Sequence, residues 1–259
     1  MSDALPAIHA KTLPGPAGST RAIVFLHGWG QSHTSMLPMA ELLGAVGTRY
    51  VLDLPGFGVS EAPPIEWDTL AYAKRIRTWL DEQGIDKADL VGHSFGGRVS
   101  VQMGAHFPER VRSIVLIGAA GLRPKRSFRQ RFRVAFSRWL GKLARMLPGS
   151  LRDPLLRWRE GKFGSPDFRN AKEPLRSILS RVVAEDLQEQ ARQVRAPTFL
   201  LWGRDDDQTP VDMAERYKAL IAGSELVVLD HLGHFPFAGG GSHPCALQLK
   251  RFYTTQAAS

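Results

Sequence analysis

Short apolar runs alternate with amphipathic stretches along most of the chain. The runs at 22–26, 50–53, 88–91, 113–117, 197–202 and 225–229 have the length and apolar character of strands buried on both faces of a sheet. Between them, apolar residues spaced by three or four positions predict helices over about 35–46, 70–82, 98–107, 211–221 and 242–253. Residues 4–20, rich in Pro, Gly and Ala, predict a short edge hairpin or a loosely held entry. This alternation predicts an α/β fold with a mostly parallel sheet.

The alternation is interrupted once. After Gly121 the pattern is helical without strands as far as about Val194, and strands resume at 197. We therefore predict a core domain formed by 1–121 and 196–259. An all-helical cap, 122–195, is inserted between two of its strands, over the carboxyl edge of the sheet.

Composition narrows the setting of the chain. With 259 residues and 43% hydrophobic residues, it has the size and composition of one ordinary globular α/β domain. It contains one cysteine, Cys245, and no run near the ~20 apolar residues of a membrane span. The start lacks the basic and apolar regions of a signal peptide, so we expect a cytoplasmic protein. No Cys/His cluster has metal-ligand spacing, and we expect neither a metal nor a cofactor.

The sequence Gly92-His93-Ser94-Phe95-Gly96-Gly97 carries the strongest chemical signal. It follows an apolar run and opens a helical segment, the context in which Gly-x-Ser-x-Gly is a nucleophile elbow. The glycines permit a turn so tight that Ser94 is strained and its hydroxyl projects from the strand end. The free N–H groups at the start of the helix would stabilise an oxyanion there.

A serine hydroxyl needs a base and a carboxylate that orients the base, and two later loops supply both. The loop 203–210 contains Asp205, Asp206 and Asp207, and the loop 230–235 contains His231 and His234. Each loop follows a predicted parallel strand, so all of these groups should meet at the carboxyl edge of the sheet. The order Ser, Asp, His along the chain is that of α/β hydrolases.

Four motifs in this order resemble those of α/β-hydrolase-fold proteins with a helical cap, and the resemblance covers nearly the full chain. They are His27-Gly28-Trp29-Gly30, Asp53-Leu54-Pro55-Gly56-Phe57-Gly58-x-Ser60, Gly92-His93-Ser94-Phe95-Gly96-Gly97 and Gly233-His234-Phe235. The resemblance implies a nucleophile at Ser94 and a general base, later acid, at His234. It implies an oxyanion hole formed by the backbone N–H groups of Trp29 and Phe95.

The family pattern Gly-x-x-Asp-x-x-x-Pro favours Asp206 as the orienting carboxylate, because Gly203 and Pro210 frame it. Asp205 stays the main alternative, and Asp207 a weaker one. The resemblance implies that His27 holds the oxyanion turn and that His93 packs or bonds locally. We expect Asp53 to anchor its own loop.

The net charge of +9 is concentrated in the predicted cap. Residues 122–195 contain 19 Lys and Arg but only 7 Asp and Glu. An apolar stripe at helical spacing, including Phe128, Phe132 and Phe136, runs through its first part and is a candidate lining of an acyl pocket. The basic face is either simply solvated or a surface for an acidic partner, such as an acyl carrier protein or an anionic membrane surface. Nucleic acid is disfavoured, because no nucleic-acid motif accompanies the charge.

These residues predict a serine hydrolase that cleaves carboxylic esters of small molecules through an acyl-enzyme, possible substrates being acyl or carrier-linked esters. A carbon–carbon bond hydrolase of the meta-cleavage type is the enzymatic alternative, since it uses the same triad on the same fold. A non-catalytic ligand receptor on this fold is the alternative from another class, and the complete triad counts against it.

Overall fold

The computed structural model describes residues 5–63, 66–123, 144, 148, 151–154 and 171–257. Among these residues, seven strands form one sheet. They are β1 (Ala10–Leu13), β2 (Ala22–Leu26), β3 (Thr48–Leu52), β4 (Ala88–His93), β5 (Val111–Ile117), β6 (Thr198–Gly203) and β7 (Glu225–Leu229).

The described helices connect these strands. They are α1 (Leu37–Glu41), α2 (Thr69–Glu82), α3 (Phe95–His106), α4 (Leu175–Ala184), α5 (Gln188–Gln193), α6 (Val211–Leu220) and α7 (Ser242–Ala257), with 3-10 turns at His33–Ser35, Pro108–Arg110 and Gly239–Gly241. Within this part of the chain, no helix combines the length and apolar character needed to cross a membrane.

The strand order is β1-β3-β2-β4-β5-β6-β7, and every neighbouring pair except β1 and β3 is parallel. The predicted α/β fold with a mostly parallel sheet is therefore confirmed. From β2 the chain first adds β3 on one side and then crosses to add β4 on the other. The carboxyl ends of β2 and β4 thus flank the point where the winding direction reverses, and open α/β sheets bind ligands at such a point.

The sheet is covered on both faces, which explains why its central strands read as continuous apolar runs. In β2, Ile23 and Phe25 pack with α1 and α7, whereas Val24 and Leu26 pack with the layer that contains α2 and α3. All five residues of β2 and all six of β4 are buried. The end of β4 is therefore a rigid platform for whatever follows it.

The first helix is shorter than predicted. The sequence pattern indicates a helix over about 35–46, but α1 ends at Glu41. The carbonyl of Ala40 accepts the N–H of Leu43 at 3.1 Å and the buried Nε of Arg49 at 3.2 Å. It is therefore not free for the regular bond four residues on, and the chain continues in short turns to β3. The N-terminal segment forms the antiparallel edge strand β1 on β3 rather than a hairpin of its own.

Between β5 and β6, the described residues form helices and no strand, with residues 151–154 helical as well as α4 and α5. The returning end of this insertion is bonded to the core. The N–H of Leu187 donates to the carbonyl of Gly121 at 2.9 Å. The carboxylate of Glu185 accepts the N–H of Thr69, the first residue of α2, at 3.0 Å, and also its hydroxyl. The exit and the return of the insertion are thus fixed to each other and to the sheet layer.

We predict that Gly96→Ala destabilises the protein by about 3 kcal/mol, because overpacking a rigid region is costly. The N–H of Gly96 donates to the carbonyl of His27 at 3.0 Å, and an added Cβ would clash with the backbone carbonyl of Leu26. Urea unfolding measures the change. The matched control is Gly240→Ala, where an added Cβ meets no atom within 4 Å. Equal stability of the two variants would contradict this close packing of α3 on β2.

Candidate active site

Ser94 lies between the last residue of β4 and the first residue of α3, in a strained conformation with φ 48° and ψ −104°. Such values are rare for a residue with a side chain, and surrounding bonds must hold them. The N–H of Ser94 donates to the carbonyl of Ile117 at 3.1 Å. Its own carbonyl accepts N–H groups from Gly97, Arg98 and Ala120 at 3.1 to 3.3 Å. The main chain of Ser94 is thus tied both to α3 and to the end of β5.

Asp206 and His234 form a buried pair. The Nδ1 of His234 lies 2.9 Å from Oδ2 and 3.1 Å from Oδ1 of Asp206. The carboxylate also accepts the backbone N–H groups of Gln208 and Thr209 at 2.9 and 2.8 Å, and the Thr209 hydroxyl at 2.8 Å. Burial alone would raise the pKa of Asp206, but the bonds from His234 and Thr209 hold it below its ordinary value.

The charge state of Asp206 fixes the tautomer of His234. An ionised carboxylate only accepts hydrogen bonds, so Nδ1 of the imidazole carries the hydrogen and Nε2 keeps a free lone pair. The imidazole is therefore arranged to take a proton at Nε2. Asp205 and Asp207 are exposed, as is His231, which has a positive φ of 61°. Of the three carboxylates and two histidines in these loops, the structure brings Asp206 and His234 together.

Gly118 connects Ser94 with this pair. It follows Ile117, to whose carbonyl Ser94 is bonded, and it has a φ of 47°. A Cβ on Gly118 would lie 3.1 Å from Oδ2 of Asp206 and 3.4 Å from Nδ1 of His234, so the pair is packed directly on the end of β5. Among the described residues, no hydrogen bond joins the Ser94 hydroxyl to the His234 ring. Catalytic hydrogen bonds are commonly long or poorly aligned without a substrate and tighten when one binds.

The backbone N–H groups of Trp29 and Phe95 have no acceptor within the described part of the chain. Phe95 is the first residue of α3, and Trp29 lies in the turn after β2. Gln31 closes that turn, because its Oε1 accepts the N–H of Gly28 at 3.0 Å. The two free N–H groups follow the carboxyl ends of β2 and β4, which flank the point where the winding direction of the sheet reverses. An anionic oxygen at that point could accept both of them.

His27 and His93 are both fully buried and hold this backbone in place. The Nδ1 of His27 lies 2.7 Å from the carbonyl of Gly28, and its Nε2 accepts the N–H of Leu54 at 3.0 Å. The bond to Gly28 holds the turn after β2, which is the role expected of His27. The bond to Leu54 in addition joins that turn to the loop after β3.

His93 makes a contact that the sequence did not reveal. Its Nε2 lies 2.8 Å from the carbonyl oxygen of His234, and its Nδ1 lies 3.2 Å from Oε1 of Gln31. The residue before the strained serine therefore fixes the main chain of the histidine loop, 141 positions later. Sequence proximity to Ser94 was the signal that marked His93, but its partner follows only from the fold.

Phe95, the residue after Ser94, belongs to a group of packed aromatic rings. Phe95 makes edge-to-face contacts with Trp29 and Tyr72, with ring centroids 5.1 and 5.0 Å apart, and Phe57 packs on Trp29 at 4.9 Å. On the histidine side, the ring of Phe235 is 42% exposed and lies 5.1 Å from that of His234. The expected pocket-lining residues Phe128, Phe132 and Phe136 lie outside the described residues.

We predict that stability falls steeply as the pH drops from 6 to 5. Burial lowers the pKa of His27 to about 4, and burial together with the charge of His234 lowers that of His93 to about 3. In the unfolded chain both take up protons near the ordinary value of 6.5, so the stabilisation is present above pH 6.5 and is lost below it. In this range the unfolded chain binds nearly two more protons than the folded chain. The free energy of unfolding should therefore fall by about 2.7 kcal/mol per pH unit.

Urea unfolding at several pH values measures this slope. His93→Asn should remove about one proton from it, because only His27 then contributes. His243→Ala, which changes an exposed histidine, should leave the slope unchanged. A free energy of unfolding that is flat between pH 6 and 5 would contradict the burial of two neutral imidazoles.

Comparison with known proteins finds relatives that match most of the chain. The 2-hydroxy-6-oxo-6-phenylhexa-2,4-dienoate hydrolase of Burkholderia cepacia is 30% identical over 85% of this chain and 83% of its own. The 2-hydroxy-6-oxononadienedioate/2-hydroxy-6-oxononatrienedioate hydrolase of Comamonas testosteroni is 27% identical over the same shares. An esterase from Exiguobacterium antarcticum has a similar structure, with a TM-score of 0.72 and 20% identity over 96% of each chain. That last likeness concerns the fold alone.

The family model described as the alpha/beta hydrolase fold matches residues 21–240, from β2 to the loop before α7. This span includes the strained serine, the buried Asp206 and His234 pair and both free N–H groups. The chain is therefore a member of the α/β hydrolase fold family.

Proposed function

We propose that this protein hydrolyses a carbon–carbon bond in a 2-hydroxy-6-oxo-dienoate, with Ser94, His234 and Asp206 as its catalytic triad. The observation that carries this choice of substrate class is the 30% identity, over 85% of the chain, to a hydrolase named for such a dienoate. A second relative named for the same class supports it at 27% identity. The ester reaction favoured by the sequence motifs alone becomes the second candidate.

Ser94 is the proposed nucleophile. Its strained position at the end of β4 exposes the hydroxyl, and the free Nε2 of His234 is the atom that accepts its proton. Asp206 then stabilises the imidazolium through Nδ1, as the orienting carboxylate does in a Ser-His-Asp triad. In this scheme His93 is a positioning residue, since it acts on His234 through the main-chain carbonyl.

The reaction balances as follows in the 2-keto tautomer of the substrate. The oxygen of Ser94 adds to the ketone carbon, carbon 6, and the N–H groups of Trp29 and Phe95 bind the resulting oxyanion. The bond between carbons 5 and 6 breaks, and its electron pair is delocalised through the adjacent double bond onto the 2-keto oxygen. His234 returns its proton to that dienolate. Water activated by His234 then releases the acyl group from Ser94 as a carboxylic acid.

Two features fit such a substrate. The partly exposed ring of Trp29, which rests on the buried rings of Phe57 and Phe95, offers an apolar surface for the group attached to the ketone. The dienoate is an anion, and residues 122–195 contain 12 more basic than acidic residues. In the sequence that segment directly follows β5, which ends at the carboxyl edge of the sheet, and a basic segment favours an anionic substrate.

Ester hydrolysis is the second candidate, because the same groups complete it without any addition. An ester needs the nucleophile, the two N–H donors and a proton for the leaving alcohol, which His234 supplies. The apolar rings beside Ser94 suit an apolar acyl chain as well as an aryl ketone.

The two candidate functions are distinguished by comparing kcat/KM for two substrates. Turnover of 2-hydroxy-6-oxo-6-phenylhexa-2,4-dienoate is measured by the loss of its visible absorbance. We expect its kcat/KM to be at least ~100-fold above that for p-nitrophenyl butyrate. Ser94→Ala should lower the activity by several orders of magnitude. The control is Ser32→Ala, which changes a partly exposed residue next to the oxyanion turn and should retain the activity. Ester turnover with an inert dienoate would select the second candidate. A folded protein that turns over neither would favour a receptor.

The carboxylate assignment has its own test. We expect Asp206→Asn to lower kcat by about 10³–10⁴-fold. The Asn amide can donate a hydrogen bond to Nδ1 of His234, and this favours the tautomer in which Nε2 carries the hydrogen and cannot accept a proton. Asp205→Asn changes the exposed neighbour and should leave kcat within about twofold. Steady-state kinetics on the better substrate measures both. The reverse ranking would move the orienting role to Asp205.

A further inference from the structure

Three side chains with metal-binding atoms meet outside the proposed triad. His9 precedes β1, His33 begins the turn after β2, and Asp53 follows β3 directly. Their available ligand atoms all lie within 4.8 Å of one another. The two imidazole rings are 5.1 Å apart, centroid to centroid, and inclined by 57°. Spacing in the sequence does not reveal this group, because the three residues come from three separate segments.

Asp53 orients His33. Its carboxylate is buried, and its Oδ1 accepts the backbone N–H of His33 at 2.6 Å and the ring Nδ1 of His33 at 3.0 Å. Its Oδ2 accepts the N–H of Val59 at 3.1 Å. All of these neighbours donate to the carboxylate, which is the pattern that a carboxylate oxygen requires. The Nδ1 of His33 therefore carries the hydrogen of its bond to Oδ1, and Nε2 keeps the lone pair that a metal ion needs.

His9 is fixed at its backbone and exposed at its ring. Its N–H donates to the Ser60 hydroxyl at 2.8 Å, and its carbonyl accepts the N–H of Asp53 at 2.9 Å. The side chain itself is exposed, so it can rotate without disturbing the packing. Two nitrogens bound to one zinc ion at 2.0–2.1 Å lie about 3.3 Å apart. The ligand atoms lie within 4.8 Å of one another, so the two nitrogens must approach each other when an ion binds, and the exposed His9 ring is the part that can move.

We propose that His9 and His33 bind one divalent transition-metal ion, zinc or copper, with Asp53 as the carboxylate that orients the His33 ring. Imidazole nitrogens suit these ions, and a carboxylate behind a ligating histidine raises its basicity. The exposed side of the pair leaves room for water to complete the coordination. Such an ion links the segment before β1 to the loop that carries the N–H of Trp29.

The test uses the untagged full-length chain after treatment with EDTA. Calorimetric titration with ZnCl2 should give one ion per chain, and zinc should raise the thermal unfolding midpoint. In His9→Ala the zinc affinity should fall by at least about tenfold, and the midpoint should no longer respond. With one equivalent of CuSO4, the electron paramagnetic resonance spectrum should indicate two nitrogen ligands in the wild type and one in His9→Ala.

The control is His243→Ala, which removes another exposed histidine, in the first turn of α7. It should keep the wild-type zinc affinity and copper spectrum. Both variants change exposed side chains, so their unfolding midpoints without metal should match that of the wild type. A wild-type chain that takes up no zinc at one equivalent overturns the proposal. So does a His9→Ala variant with unchanged affinity and copper spectrum.

Discussion

The abrupt turn between β4 and α3 is the constraint on which the site depends. Ser94 can occupy its strained conformation because α3 starts at the very next residue and packs against the end of β2. That approach leaves no space for a Cβ at Gly92, which faces the Gly96 carbonyl, or at Gly97, which faces Ala119. The hydrogen bonds of the Ser94 main chain offset the strain. The position of Ser94 is thus fixed by backbone packing, and this residue is the proposed nucleophile.

Much of the fold follows from local patterns in the sequence. The mainly apolar runs of β2, β4, β5 and β6, interrupted in β4 by Asp89 and in β5 by Arg112, are direct consequences of burial on both faces, so they can be read without a structure. The length of α1 could not be predicted in this way. The helical pattern continues past Glu41, but the guanidinium of Arg49 binds the carbonyl on which the next turn would depend. A tertiary contact outweighs a local preference there.

The candidate site, like the fold, can be predicted from the sequence only in part. Motif spacing brings Ser94, Asp206 and His234 into consideration, but three adjacent aspartates have nearly the same local sequence. Burial and the N–H groups of Gln208 and Thr209 distinguish Asp206 from its neighbours. The contact of His93 with the carbonyl of His234 and the cluster of His9 with Asp53 join distant segments. No local sequence pattern predicts these contacts. The motifs do not distinguish ester from carbon–carbon cleavage either, because both candidate reactions would use the same proposed groups.

The hydrogen bonds that hold the two ends of the insertion between β5 and β6 also affect how such proteins can diverge. Because Leu187 is bonded to Gly121 and Glu185 to the start of α2, the two ends of the insertion stay together whatever lies between them. None of these bonds uses a residue between 124 and 170, so changes there leave the bonds themselves intact. Natural selection can therefore vary that stretch of sequence as a module, while the sheet that supports Ser94 and His234 is kept.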